Sequence, residues 1–471
     1  MLYEFLDQAD IWIEKAQGIL GFYLFYFIKD FILQNWGYIL IALLNFIVYR
    51  KAVYFNLIND DYTDMKLNPF KVRYVKKLSI ILHTLVCEYI HLAFGFPGLI
   101  AALMFSVHPL AIQIPVWWTG REYGKNALLA LQSIVFTPFG SLILLAANIS
   151  IPTTLFLPLI FLFTKAWYLS LIFPITVLFS WKKLKRAIRS RAERHEVFSS
   201  RDDFKIGKFK WENLIIVVKT FGYYALASLL PIKNGFYNSF LVTLGSSVKE
   251  TKYWYSLNRH FWGGIFAIVF MAVTWWFNKF NFIGMGILIF GLSLGPYLNF
   301  ITVQMWTSPR YAYLAVIGFQ LALAGILLPL GTIGYCILSA LFLFYLDRTI
   351  KVMQIYKTDN ITQMILDSQV FPDNPRLWYY RYEHMLHKDN ALMAWAEATY
   401  GLKYLPEDCQ LWFGLACASF ELGDLNAAST FLKNAENYMI LSERENMREL
   451  IAEFKERIKN KLLEKYTQRR F

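Results

Sequence analysis

YAYLAVIGFQLALAGILLPLGTIGYCILSALFLFYLD, residues 311–347, follows Arg310 and carries no charge until its last residue, Asp347. A helix needs about 20 mostly apolar residues to cross a bilayer, because every backbone amide must be bonded within the segment. The stretch therefore supplies two crossings, 311–329 and 331–347, divided at Pro329 and Gly331, which punctuate a helix. Working outward, similar apolar runs occupy 36–57, 78–94, 96–114, 126–147, 152–180, 213–232, 260–277 and 281–301. The region 152–180 fits one tilted or two short helices, so nine to eleven crossings are expected. Tryptophans gather at the ends of these runs (Trp36, Trp117, Trp118, Trp181, Trp254, Trp275, Trp276, Trp306), as interfacial anchoring predicts.

The composition agrees. Of 471 residues 56% are apolar, 18% aromatic and 17% charged, against about 25% charged in a soluble domain. The deficit lies before residue 348, and the remainder resembles an ordinary soluble protein. The net charge of +13 sits in short runs between apolar segments. With no zinc spacing and no RNP-like strand, membrane-flanking charge is favoured over nucleic acid, and no nucleic-acid partner is expected. The densest run, Lys182 to Arg194, is assigned to the cytoplasm by the positive-inside rule. Counting crossings then puts Lys71, Arg73, Lys76 and Lys77 on the opposite, outer side. That departure would be explained by binding of a lipid phosphate there. Met1–Lys15 is acidic and amphipathic, unlike a signal peptide, and 1–35 is expected to form interfacial or re-entrant helices.

Beyond residue 370 a 34-residue period appears: Pro372 with Pro406, Leu377 with Leu411, Trp378 with Trp412, Ala394 with Ala428. Alanine where paired helices pack and proline between units mark helical-hairpin repeats of tetratricopeptide type. Glu443–Lys465 reads as a charged capping helix. Such repeats bind proteins or brace a neighbour. Cys87 and Cys336 read as packing residues inside crossings, and Cys409 and Cys417 lie too far apart on one predicted helix to bridge.

Three places can carry chemistry. Asp60 and Asp61 follow the first strong crossing, where carboxylates are costly to desolvate; a solvated loop explains them equally well. His108-Pro109, Gln113 and Trp117 to Glu122 gather polar side chains where proline and glycine break the helix, although a lone histidine is more often structural. Arg310, Tyr311 and Tyr313 open the last apolar pair, where arginine either clamps a phosphate or anchors the interface. No metal-ligand set is evident. His108 lacks a neighbouring acid, so a divalent metal is left open and no organic cofactor is implied. The absence of an inverted repeat among the crossings argues against a transporter.

Taken together, Leu67-Asn68-Pro69-Phe70, Leu82-His83, Leu99 through Leu110, Trp118-Thr119-Gly120-Arg121 and Arg310 through Phe319 resemble the GT-C membrane glycosyltransferases. Among these, the chain looks like the transmembrane-and-tetratricopeptide O-mannosyltransferases and their bacterial relatives. The resemblance implies an all-α fold: a polytopic helical bundle over 36–348 followed by a small repeat domain over 349–471. It implies a polyprenyl-phosphate sugar donor, an acceptor such as a protein hydroxyl, and an outer or lumenal site in a bacterial inner membrane or the endoplasmic reticulum. Asp60 and Asp61 match its acidic pair, and Arg121 and Arg310 its phosphate-binding positions. Arg73, Lys76, His108, Gln113, Tyr311 and Tyr313 complete the expected donor site. Two departures stand out. The relatives carry a glutamate where this chain has Gln113, and a Ser-Lys-Glu stretch where it has Ala147-Asn148-Ile149. A glutamine cannot take a proton at neutral pH. A catalytically inactive scaffold whose repeats hold a partner protein is therefore the alternative expectation.

Overall fold

The computed structural model describes residues 34–55, 69–117, 120–136, 139–148, 154–163, 167–178, 211, 213–233, 235, 256–279, 281–298, 300, 307–357, 360–372, 374–442 and 445–468. Of the expected N-terminal helices over 1–35, all but the last two residues lie outside these residues, as do the acidic pair Asp60-Asp61 and the basic run Lys182 to Arg194.

Among the described residues all regular structure is helical. Gln34–Tyr54 forms α1, its last turn 3-10. The next helix, α2 (Pro69–Ser106), is broken at Gly95, whose φ of 59° a side-chain-bearing residue rarely adopts. Ser106 Oγ donates to Cys87 Sγ at 3.2 Å, 19 residues away. A straight helix would hold those atoms about 28 Å apart. The two arms therefore form a hairpin turned at Gly95, as the separate runs 78–94 and 96–114 lead one to expect. The second arm ends at Ser106 rather than near 114, because Pro109 forces a 3-10 turn and Gln113–Val116 adds one isolated turn.

The run 126–147 is not one crossing. It divides into α3 (Arg121–Val135) and α4 (Gly140–Asn148), each short. Over 152–180 the described chain is mostly 3-10 turns, Leu157–Phe163 and Trp167–Leu171. Then come α5 (Asn213–Leu229), α6 (Arg259–Asn278), α7 (Phe282–Leu294) and α8 (Tyr313–Leu327). The helix α9 (Thr332–Lys357) runs unbroken through the compositional boundary near residue 348, so one helix carries the chain out of the apolar body. Among the described residues five helices are long and apolar enough to cross a membrane: α1, α2, α6, α8 with its flanking turns, and α9. Of the larger expected count, 126–147 is split in two, while 152–180, 213–232 and 281–301 yield only the shorter apolar helices Tyr168–Leu178, Asn213–Leu229 and Phe282–Tyr297.

The burial pattern suits an apolar surrounding. In α6 only Gly264 is buried, while Trp262, Phe266, Phe270, Trp276 and Phe277 face outward. At about 25 cal/mol per Å² of apolar surface, water would penalise that face heavily and lipid would not. Cys87 is buried as expected, whereas Cys336 is exposed on the outer side of α9, a correction to its reading as a packing residue.

The tail continues as α10 (Asn360–Val370), α11 (Pro375–His387), α12 (Ala391–Leu402), α13 (Cys409–Glu421), α14 (Leu425–Ser442) and α15 (Glu445–Gln468). The 34-residue period is realised bond for bond. Trp378 Nε1 donates to Pro372 O at 2.8 Å, and Trp412 Nε1 to Pro406 O at 2.9 Å. Trp378 stacks on Tyr404 and Trp412 on Tyr438, with interplanar angles of 11° and 10°. Asn390 caps α12 through Met393 N as Asp424 caps α14 through Ala427 N. The residues before those caps, Asp389 and Gly423, both have positive φ.

Burial pushes the Cys417 thiol up to about 12, against an opposing pull from Arg457. The thiolate is the reactive form, so alkylation of Cys417 at pH 8 should be slower than that of a free thiol by a factor on the order of 10³. The neutral thiol is the one the fold favours, so this contribution to stability is present below about pH 9 and lost as pH rises toward 12. Mass-spectrometric rates of iodoacetamide labelling, native against urea-unfolded, check this; equal rates would contradict it.

Candidate functional site

The turn that begins α8 is built around a proline. Pro309 opens the 3-10 turn Pro309–Ala312, and the hydroxyl of Tyr224 on α5 clamps Ser308, accepting from its N–H at 2.9 Å and donating to its carbonyl at 3.2 Å. This fixes Arg310. Its backbone N–H donates to Gln113 Oε1 at 3.2 Å. Its guanidinium lies 5.0 Å from the centre of the Trp117 ring and 5.2 Å from that of Tyr311. Arg310 is also within hydrogen-bond reach of the Tyr123 and Tyr311 hydroxyls. Tyr311 in turn stacks on Tyr297, 4.3 Å between centroids and 6° between planes, with Tyr123 beside both. A half-buried cation thus sits in a box of aromatic faces, a geometry that holds a planar guanidinium where a phosphate oxygen can approach its edge.

Arg121 belongs to the same end. Gly120 N donates to Trp117 O, so α3 starts one turn beyond the ring that covers Arg310. The cation at the first position of α3 opposes the helix dipole, and Glu122 offsets it, with Oε1 3.2 Å from Arg121 Nε and 2.7 Å from Lys125 Nζ.

Arg73 and Lys76 gather instead at the exit of α1. Lys76 is buried and its ammonium donates to the Phe55 carbonyl, capping the last turn of α1. Arg73 is exposed and lies 5.3 Å from the Tyr54 ring centre.

Two expected ligand-binding residues have another place. His108 is fully buried: Nδ1 accepts from Leu110 N at 3.2 Å, which leaves Nε2 to carry the proton and donate to Ser228 O at 3.1 Å. Gln320 Nε2 donates to the same carbonyl at 3.0 Å, and the Tyr345 hydroxyl shares its one hydrogen between Leu229 O at 2.9 Å and Ser228 O at 3.2 Å. These donors satisfy the end of α5, where Pro231 supplies no amide hydrogen. Tyr313 points inward to His83 Nδ1 at 2.7 Å, among Tyr49 and Phe105. Neither side chain reaches the Arg310 edge. Both residues are neighbours along the chain of Gln113 and Arg310, but helical turns aim their side chains into the core.

Gln113 is also fully buried; its oxygen serves Arg310 N, and its Nε2 has no hydrogen-bond partner. Tyr123 and Tyr297 join the Arg310 box, and Gln320 and Tyr345 the Ser228 carbonyl, without belonging to any of the three sequence clusters. Tyr123 and Tyr297 carried the weak signal of tyrosine beside charge or proline at the end of an apolar run. Among the described residues no group of three or more His, Cys, Asp and Glu side chains is placed to hold a metal ion.

The tail meets the body at this same end. Ile355, Tyr356, Phe371 and Leu377 share one buried cluster with Tyr49, Phe55, Val116 and Trp117. The fold and site together define a helical protein with long apolar helices and a repeat tail docked beside a cation-aromatic cluster. No family model matches the chain, and no curated protein or solved structure matches it.

Proposed function

We propose that the chain is a multi-pass GT-C-type glycosyltransferase that moves a sugar from a polyprenyl-phosphate donor to an acceptor hydroxyl, with a protein as acceptor, on the outer or lumenal face. The observation that carries the reading is Arg310 held between Trp117 and Tyr311 at the end where α1 leaves toward Asp60 and Asp61. In the reaction, Asp60 or Asp61 takes the proton of the acceptor hydroxyl as its oxygen attacks the anomeric carbon. The bond from that carbon to the phosphate oxygen breaks, and the polyprenyl phosphate departs with its new charge facing Arg310 and Arg121. The repeat domain, of tetratricopeptide type, lies on the same side as the site, which fits a role in presenting the acceptor.

The test uses purified protein in nanodiscs with a radiolabelled polyprenyl-phosphate mannose or glucose and a Ser/Thr peptide. Asp60→Asn with Asp61→Asn should lower turnover by a factor on the order of 10² to 10⁴, the usual worth of a general base. Turnover unchanged in the double variant would refute the assignment.

One observation favours a second reading. Where the resemblance leads one to expect a glutamate, the neutral amide of Gln113 is spent on a backbone bond to Arg310. A scaffold that keeps the fold without the reaction, and binds a partner through its repeats, would have this arrangement. Isolation of a stoichiometric complex with no transfer from any lipid-linked sugar would favour it.

A further inference from the structure

The two repeat units differ at one pair of core positions. In the second unit, the positions one period after Arg381 and Glu397 hold Leu415 and Phe431, which pack in the apolar interior of the tail. In the first unit, Arg381 and Glu397 are both buried and joined as an ion pair. Packing alone is satisfied by the apolar pair, as the second unit demonstrates. A buried ion pair in the same frame costs desolvation and adds little net stability.

Arg381 of this pair lines a cavity of about 300 Å³ between α10, α11 and the end of α12. Arg381 Nη1 donates to Ser368 Oγ at 2.5 Å, and its guanidinium covers the Trp378 ring at 4.4 Å. Its Nε is buried and has no hydrogen-bond partner among the described residues. Tyr400 and Tyr404 form the wall, each nearly half exposed and set edge to face, 5.7 Å between centroids. Gln369 stands exposed at the rim.

We infer that this cavity binds an extended peptide segment, which places one main-chain carbonyl on Arg381 Nε–H and one apolar side chain against Tyr400 and Tyr404. The charge of Arg381 is already matched by Glu397, so the site suits a neutral group rather than an anion. A peptide bond brings one acceptor and one donor, which Arg381 Nε and the Gln369 amide answer. A saccharide would bring many hydroxyls that these two groups leave unmet. The cavity also has an address. Ile365 and Ser368 of α10 line it, while Met364, Leu366 and Val370 of the same helix pack toward the cluster that contains Trp117. The peptide is thereby held beside the Arg310 end. Its identification as the acceptor rests on the transfer reading above; the binding itself does not.

The test uses full-length protein in nanodiscs and the blocked peptide Ac-Gly-Ser-X-Thr-Gly-Ser-NH2, where X is a diazirine analogue of leucine. Photolabelling should map to residues 360–370 or 397–404. It should fall at least about tenfold in the double variant R381L/E397F, which installs the second unit's own residues and so preserves packing. Tyr404→Ala, a change at a half-exposed ring, should weaken labelling similarly if the double variant folds poorly. Undiminished labelling in a folded R381L/E397F or in Tyr404→Ala overturns the site, as does protection by mannobiose with no peptide labelling. Labelling without any sugar transfer upholds the site and removes the transfer reading. Transfer to a free hydroxyl compound without labelling does the reverse.

Discussion

Arg310→Gln should reduce sugar transfer from a polyprenyl-phosphate donor by about 10² to 10³-fold, the worth of one preorganised group facing developing charge. Glutamine keeps the backbone N–H that Gln113 accepts, so the turn that starts α8 is retained. What disappears is the planar cation between Trp117 and Tyr311. Arg310→Lys separates charge from shape. A lysine restores the positive charge but not the flat surface that stacks on aromatic faces or the paired donors that grip a phosphate. Its activity should fall between the two, with most of the loss in KM for the lipid donor. Kinetics in nanodiscs of fixed donor content measure the split. Arg310→Gln turning over at the wild-type rate would remove Arg310 from the reaction.

The repeat was legible from its period. Four matched pairs, Pro372/Pro406 to Ala394/Ala428, predicted the hairpins, and the equivalent bonds from Trp378 and Trp412 show why those types recur: an indole N–H reaches back to a proline carbonyl that no helix satisfies. The pair Asp389/Gly423 was harder to read because the shared property is positive φ, which two different residue types satisfy. In the apolar body, hydropathy located the helices but not their inward faces. His108 and Tyr313 sit within a few residues of Gln113 and Arg310, yet their side chains bond to Ser228 and His83, which are 120 and 230 positions away. Nothing in a local pattern marks such partners. The first acidic loop, on which the proposed base depends, was read from sequence alone.

Gly318→Leu should have the largest effect on folding, because the α7–α8 crossing is backbone against backbone. A Cβ at Gly318 would stand 2.6 Å from Phe290 N, and one at Gly286 would stand 2.7 Å from Ala322 N. Backbone amides cannot step aside as a side-chain tip can, so the helices must part. Overpacking a core costs about 1–3 kcal/mol and more where the obstacle is rigid. Contacts pair Ile283 with Gly325, Gly286 with Ala322, and Phe290 with Gly318, an antiparallel register that continues to the stacked rings of Tyr297 and Tyr311. Parting the helices therefore also pulls Tyr297 from the ring that flanks Arg310. Gly291, on α7, has open space where its Cβ would be. Gly291→Leu should behave as wild type in a fluorescence-detected thermal gel-filtration assay, while Gly318→Leu should aggregate or melt well below it. If both variants melt together, close approach of these two helices is not what shapes the site.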